Sequence, residues 1–318
     1  MQPRLQIGIR ILLLPLAAGL ALAQANPALS PHAQAVAQGQ PPANLRSIFA
    51  SPFASRLAVA ATSTVSITPG GVVPVYSSNT TIQSGEWISI FGNNLASAFM
   101  TWQGNFPQNI NGTSVTINGL PGYLEFVSST QINLQVPDFP AGTSGTVNVV
   151  VNAPGGSATS TVTLGQVGPS FLLLSDNVHV AGIILRPDGS GSQLPGTSVS
   201  YDFLGPTGSS LGYATKAAKA GDFVEIFGVG FGPTNPTVTS GQPFVGAAAA
   251  TTSLSVTMNG TTVINGPPFP SGVFAGLSGA GLFQFNLTIP AGLGTGDVPL
   301  TAMVGGVQTP SGVVMPLQ

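Results

Sequence analysis

The chain has 318 residues, of which only 5% are charged, against roughly 25% in ordinary soluble domains, while glycine (42) and proline (28) abound. The formal charge of -2 excludes nucleic-acid binding by charge. The absence of cysteine excludes disulfides, thiolate metal sites, cysteine nucleophiles and a lipoprotein anchor.

With the long charged helix formers nearly missing, short strands joined by Gly and Pro turns are expected, under a surface of Ser, Thr, Asn and Gln. The length suits about two domains.

Met1 to Arg10 carries two arginines and no acid, and leads into the apolar run Ile11 to Ala23. This reads as a signal peptide over 1–23, with Ala21 and Ala23 forming an A-x-A cleavage site before Gln24 and a second option before Asn26. A retained anchor helix is the other reading, for which the run is short. Export is therefore expected, to the periplasm, the cell surface or beyond. Without its two arginines the chain keeps five Lys and Arg against nine Asp and Glu. No later segment is long and apolar enough for a helical membrane span, and 7% aromatics with a Pro316-Leu317-Gln318 end argues against an outer-membrane barrel.

Residues 24–63, rich in Ala, Pro and Gln, show no strand period and read as a disordered linker.

From residue 64 onward the chain repeats itself. Ser84-Gly-Glu-Trp-Ile-Ser-Ile-Phe-Gly92 aligns with Ala220-Gly-Asp-Phe-Val-Glu-Ile-Phe-Gly228, Ser114-Val-Thr-Ile-Asn-Gly119 with Ser255-Val-Thr-Met-Asn-Gly260, and Gln131-Ile-Asn-Leu-Gln-Val-Pro137 with Gln284-Phe-Asn-Leu-Thr-Ile-Pro290. The first anchor predicts an apolar strand for a sandwich interior, stopped at Gly92 or Gly228 by a positive φ or a close backbone approach. The second predicts a hairpin at Asn-Gly. The third alternates Ile132, Leu134 and Val136 with polar Gln131, Asn133 and Gln135, as Phe285, Leu287 and Ile289 alternate with Gln284, Asn286 and Thr288. That is the pattern of a half-buried strand ended by proline. The expected fold is all-β, two tandem immunoglobulin-like β-sandwiches of roughly seven strands each, over 64–167 and 168–318.

These anchors, with Gly168-Pro-Ser-Phe171 and, in the second half, Phe274-Ala-Gly-Leu277 and Gly281-Leu-Phe-Gln-Phe-Asn286, resemble the Solibacter-type C-terminal repeat of exported acidobacterial proteins. That repeat looks related to the IPT/TIG immunoglobulin-like domains. The resemblance implies an extracellular β-sandwich and brings no catalytic residues with it.

Little chemistry is visible in the residues themselves. His32 falls in the linker, and His179 in Asn177 to Ala181 is expected as an ordinary strand residue. Gly208-Ser-Ser-Leu-Gly212 matches the G-x-S-x-G pattern, but its flanks predict a loop rather than the strand, turn and helix that a Ser210 nucleophile would need. Glu86 and Asp222, at one repeat position, are expected as solvated turn carboxylates. Glu125, Asp202 and Glu225 are scattered, and Asp188-Gly189 is expected as a turn. No catalytic, cofactor or metal site is expected. Trp102, Phe106 and Tyr123 are the candidate ligand contacts, as aromatics near the loops of the first domain, with core packing as their other reading. The segment Asp188 to Thr215 is expected as a long hairpin or loop.

Three functions compete. The first is a non-catalytic interaction module binding a polysaccharide, cell-envelope component or protein. The second is a structural, self-associating spacer or matrix protein, since low charge opposes association weakly. The third is an exported hydrolase using two of the scattered carboxylates or Ser210.

Overall fold

The structure, a computed structural model, describes residues 64–101, 104–193 and 200–318. The expected signal peptide, the linker and Trp102 lie outside the described residues. No helix is present among those described.

Ten strands build a first sandwich: β1 (Ser66–Pro74), β2 (Thr81–Gln83), β3 (Trp87–Asn93), β4 (Met100–Thr101), β5 (Ser114–Ile117), β6 (Leu120–Pro121), β7 (Tyr123–Val127), β8 (Gln131–Gln135), β9 (Gly145–Ala153) and β10 (Gly156–Gly165). One sheet runs β1-β3-β8-β7-β4 and the other β2-β10-β9-β5-β6, antiparallel except where β2 lies beside β10. Alternation sends Ile88, Ile90, Ile132 and Leu134 inward from the first sheet to meet Val115, Ile117, Val149, Val151 and Leu164 from the second. These side chains are at most 1% exposed, so each removes most of its apolar area from water, worth about 2 kcal/mol apiece.

The second sandwich is larger. Its strands are β11 (Ser170–Phe171), β12 (Gly182–Leu185), β13 (Ser192–Gln193), β14 (Ser200–Phe203), β15 (Phe223–Val229), β16 (Thr234–Asn235), β17 (Ala248–Ala250), β18 (Leu254–Met258), β19 (Thr261–Gly266), β20 (Phe274–Gly279), β21 (Leu282–Thr288), β22 (Gly296–Val304), β23 (Val307–Gln308) and β24 (Val314–Leu317). The main sheet runs β13-β14-β12-β15-β21-β20-β17-β16 with β11 also on β15. The facing sheet runs β19-β18-β22-β23, with β24 on β22. Phe171, Phe231, Phe283 and Phe285 fill the space between, the rings of Phe231 and Phe285 meeting edge-on at 4.6 Å.

The repeat anchors occupy equivalent places. β3 pairs with β8 as β15 pairs with β21. Asn118-Gly119 and Asn259-Gly260, all with φ between 44° and 80°, close the β5-β6 and β18-β19 hairpins. Gly92 and Gly228 owe their identity to close approach rather than to a positive φ: a Cβ there would overlap the Ser66 or the Ser170 carbonyl oxygen. Within Asp188 to Thr215, β13 and β14 extend the main sheet, and Ser210 lies in an exposed turn with no helix after it.

The two sandwiches are docked. A third apolar cluster joins Val75, Trp87 and Phe106 of the first sandwich to Leu172, Leu174, Ala181, Phe227, Val229 and Leu282 of the second. Side chains of the first sandwich satisfy backbone groups of the second. Trp87 Nε1 donates to Ala280 O at 2.6 Å, Gln83 Oε1 accepts from Gly232 N at 2.8 Å, and Gln135 Oε1 accepts from Gly241 N at 2.8 Å. Asp138 accepts from the N–H and the hydroxyl of Ser240.

This docking overturns one expectation about β8. Asn133 and Gln135 are each only 1% exposed, so the strand is covered on both faces, because its outer face is where the second sandwich lands. In β21 the expected half-burial holds, with Gln284 and Asn286 partly exposed and Thr288 exposed.

Candidate ligand cleft between the sandwiches

Period-two alternation that sends Ile88 and Ile90 into the core turns Trp87, Ser89 and Phe91 to the outer face of the first sheet. Trp87 is consumed by the junction. Ser89 and Phe91, further along the strand, are not, and with Val73, Gln131 and Asn133 they form one side of a cleft of about 250 Å³. Leu173, Asn177 and the segment Pro310 to Val313 of the second sandwich form the other side.

The floor is a hydrogen-bonded ladder. Cross-strand pairing sets Ser89 opposite Asn133 and Phe91 opposite Gln131. Asn133 Oδ1 accepts from the Ser89 hydroxyl at 3.0 Å and from Gln131 Nε2 at 2.8 Å, which fixes the orientation of the Asn133 amide. Phe91, half-buried, and Tyr76 flank the ladder with aromatic surface. None of the described side chains lining the cleft is charged.

The far wall is pinned by a histidine. His179 Nδ1 lies 2.5 Å from Asp176 Oδ2, and Nε2 lies 3.1 Å from Asp297 Oδ1. His179 is thus the centre of a carboxylate clamp at 8% exposure, not the ordinary strand residue its alternation suggested. Periodicity carries no signal for a partner 118 residues away.

Phe106 and Tyr123 come together, but at the junction rather than in the cleft. Phe106 stands edge-on to Trp87 at 4.9 Å, 8% exposed, and its N–H donates to Gly241 O. Tyr123 is half-buried opposite Gln135, its ring against Gly241. Ser89, Phe91, Gln131 and Asn133 were not singled out from the sequence. The available signal was the alternation of Ile with Trp, Ser and Phe along β3, which gives a strand with two occupied faces.

The carboxylates depart from expectation as well. Glu86 and Asp222 do close equivalent turns, Glu86 Oε2 accepting from Gln83 N and Asp222 Oδ2 from Lys219 N, but neither is solvated. Glu86 is 1% exposed beneath Gly168 and Gly230. Burial pushes its carboxyl well above the usual range, against the opposing Gln83 hydrogen bond. Asp222 and Asp202 are brought together on one guanidinium, Arg186 Nη1 donating to Asp222 at 3.0 Å and Nε to Asp202 at 2.7 Å. Burial would raise the Asp202 carboxyl, but Arg186 and Lys216 outweigh it and hold it below its ordinary value, which suits an ion pair and not a general acid. Glu125 is buried in β7, and Glu225 accepts from Asn286 Nδ2 at 3.4 Å.

A model of the IPT/TIG domain matches residues 65–164. The first sandwich is therefore similar to that immunoglobulin-like domain, and the second repeats its strand pairing. Among curated proteins none matches the chain. Similar solved structures include the Bacteroides ovatus mixed-linkage glucan utilization locus protein SGBP-B in complex with a mixed-linkage heptasaccharide, at 13% identity and TM-score 0.30, covering 76% of this chain and 43% of that one. The plexin A4 full extracellular region follows at 12% identity and TM-score 0.24, covering 80% and 18%. A tandem of titin Ig domains stands at 8% identity and TM-score 0.22, covering 75% and 91%. The chain spans less than half of the glucan-locus protein and under a fifth of plexin. The two sandwiches are immunoglobulin-like in their own paired sheets, and the first also in its IPT/TIG match.

Proposed function

We propose that this chain is an exported, non-catalytic binding protein, two docked domains of the Solibacter type that hold a neutral, hydroxyl-rich polysaccharide segment in the cleft between them. The supporting observation is the uncharged ladder of Ser89, Asn133 and Gln131 beside Phe91 and Tyr76. Hydroxyl and amide groups both donate and accept, as sugar hydroxyls do, whereas a charged ligand would lose hydration there without gaining a counter-charge. The apolar surface of Val73, Phe91 and Pro310 suits the C–H faces of a pyranose ring.

The test is binding of the protein from Gln24 onward to neutral hexasaccharides (cello-, laminari-, xylo- and malto-series) beside heparin and polygalacturonate. Saturable binding to a neutral member is expected, weakened about tenfold or more by Phe91→Ala and unchanged by Thr161→Ala on the opposite sheet. Equal binding to the charged polymers, or indifference to Phe91→Ala, would sink the assignment. The docked junction also suits a spacer. No binding across the panel, with assembly that rises with concentration, would move the assignment there.

A further inference from the structure

Each nitrogen of the His179 ring faces a carboxylate at hydrogen-bond distance, Asp176 from its own turn and Asp297 from β22. Ionised carboxylates only accept, so both nitrogens must donate, and the imidazolium is the one form of the ring that fits both partners. A neutral ring has a single N–H and would turn a lone pair toward one of the two carboxylates.

The clamp sits behind the far wall of the cleft. Asp176 Oδ1 also accepts the N–H groups of Val178 and His179, which folds the turn that presents Asn177. That turn is zipped to the other wall segment: Val314 N donates to Val178 O at 3.1 Å and Val180 N to Val314 O at 3.0 Å. Through Asp297, His179 also ties this pair to β22. Among the described residues that line the cleft, Tyr76 is the one titratable group, so a pH response of this lining in the neutral range has to come from groups behind it.

We propose that the His179 imidazolium is a clasp holding the Asn177 and Pro310–Val313 wall in register, and that loss of its proton loosens this wall and lowers affinity for whatever the cleft binds. The last clause rests on the cleft being the ligand site; the loosening does not.

Burial alone would lower the histidine pKa, but its hydrogen bonds to Asp176 and Asp297 prevail and raise it. Asp176 is likewise held below its ordinary value, burial being outweighed by His179 and the two backbone N–H groups. Tyr213, the other titratable group near Asp176, is pushed up by burial and stays neutral through this range. β24 contributes no titratable side chain. A histidine with a raised folded-state pKa stabilises fully below its ordinary value near 6.5 and loses that contribution as pH rises through the raised value. The clasp is therefore closed below the ordinary histidine value and released as pH rises through the raised one.

Hydrogen exchange of the Val180 and Val314 amides in the unliganded protein, corrected for the intrinsic pH dependence of exchange, tests the clasp without any ligand. Protection should fall as His179 titrates, by about tenfold for each unit of raised pKa, while the Ile90 amide in β3 stays unchanged. His179→Gln should abolish the pH dependence. If that variant does not fold, Asp297→Asn, at a 59% exposed side chain, should shift the loss of protection to lower pH in step with the histidine titration seen by NMR. Protection that ignores the histidine titration, or a pH dependence that survives His179→Gln, overturns the clasp. With the neutral hexasaccharide panel as probe, affinity should fall over the same pH interval in the wild type and not in His179→Gln. A clasp seen by exchange with no panel member bound would count against the cleft assignment alone.

Discussion

Gln131 and Gln135 lie on the same face of β8, four residues apart, and should fail in opposite ways when replaced. Gln135 bridges the junction: Oε1 accepts from Gly241 N at 2.8 Å and Nε2 donates to Gly85 O at 2.9 Å, with the residue 1% exposed. Gln135→Leu keeps the volume but strands a buried N–H and a largely buried carbonyl. At about 1–3 kcal/mol each, less the gain from an apolar side chain, the expected loss is about 2–4 kcal/mol. Gln131 is half-exposed at the cleft, and after Gln131→Leu the Asn133 Oδ1 still accepts from the Ser89 hydroxyl, so about 1 kcal/mol or less should be lost. Urea unfolding followed by tryptophan fluorescence, with Trp87 inside the junction, reads both. The same pair tested on the hexasaccharide panel should invert, Gln131→Leu impairing binding and Gln135→Leu sparing it below the unfolding transition. Equal stability losses would refute the reasoning, because they would mean that the junction amide holds nothing the cleft amide does not.

Glu86 has no cation beside it and one carboxyl oxygen without a hydrogen-bond partner. Its folded-state pKa is raised, so its contribution is present below the ordinary value near 4.5 and declines as pH rises through the raised one. Glu86→Gln should flatten that part of a stability profile measured by urea melts, and an unchanged slope would assign the pH dependence elsewhere. Arg186→Ala leaves Asp202 and Asp222 facing each other without their shared cation, and should cost about 3 kcal/mol in urea melts at neutral pH. Arg186→Lys should recover only part of this, since an ammonium cannot hold two carboxylates in one planar fork.

The sandwiches were legible wherever the information is local. Alternation along β8 and β21, Asn-Gly at two hairpins and a glycine under a crossing backbone at two strand ends each follow from a few adjacent residues. What escaped notice depends on contacts between distant segments. Glu86 looks like any turn carboxylate until Gly230 closes over it, 144 residues later. Asp202 and Asp222 looked dispersed, yet pairing of β12 with β14 and β15 brings both to Arg186. Trp87 and Phe91 read as interior because they are apolar; Trp87 serves a second, outer interior that exists only where the sandwiches meet, and Phe91 on the same face flanks the cleft beside it.

That second interior also explains why the matching face of the second sandwich does not set an open aromatic ring beside its polar pairs. The ladder recurs in the second sandwich, with Glu225 opposite Asn286 and Gln284 opposite Phe227, and Gln284 Nε2 donating to Asn286 at 2.8 Å. The equivalent of Phe91 there is Phe227, which is fully buried in the junction and unable to flank a ligand. The equivalent of Ser89 is Glu225, whose carboxyl burial pushes up. The position that faces the cleft in the first sandwich is used for docking in the second, and it is this unequal use of matching strands that sets the ladder of the first sandwich against a wall of the second.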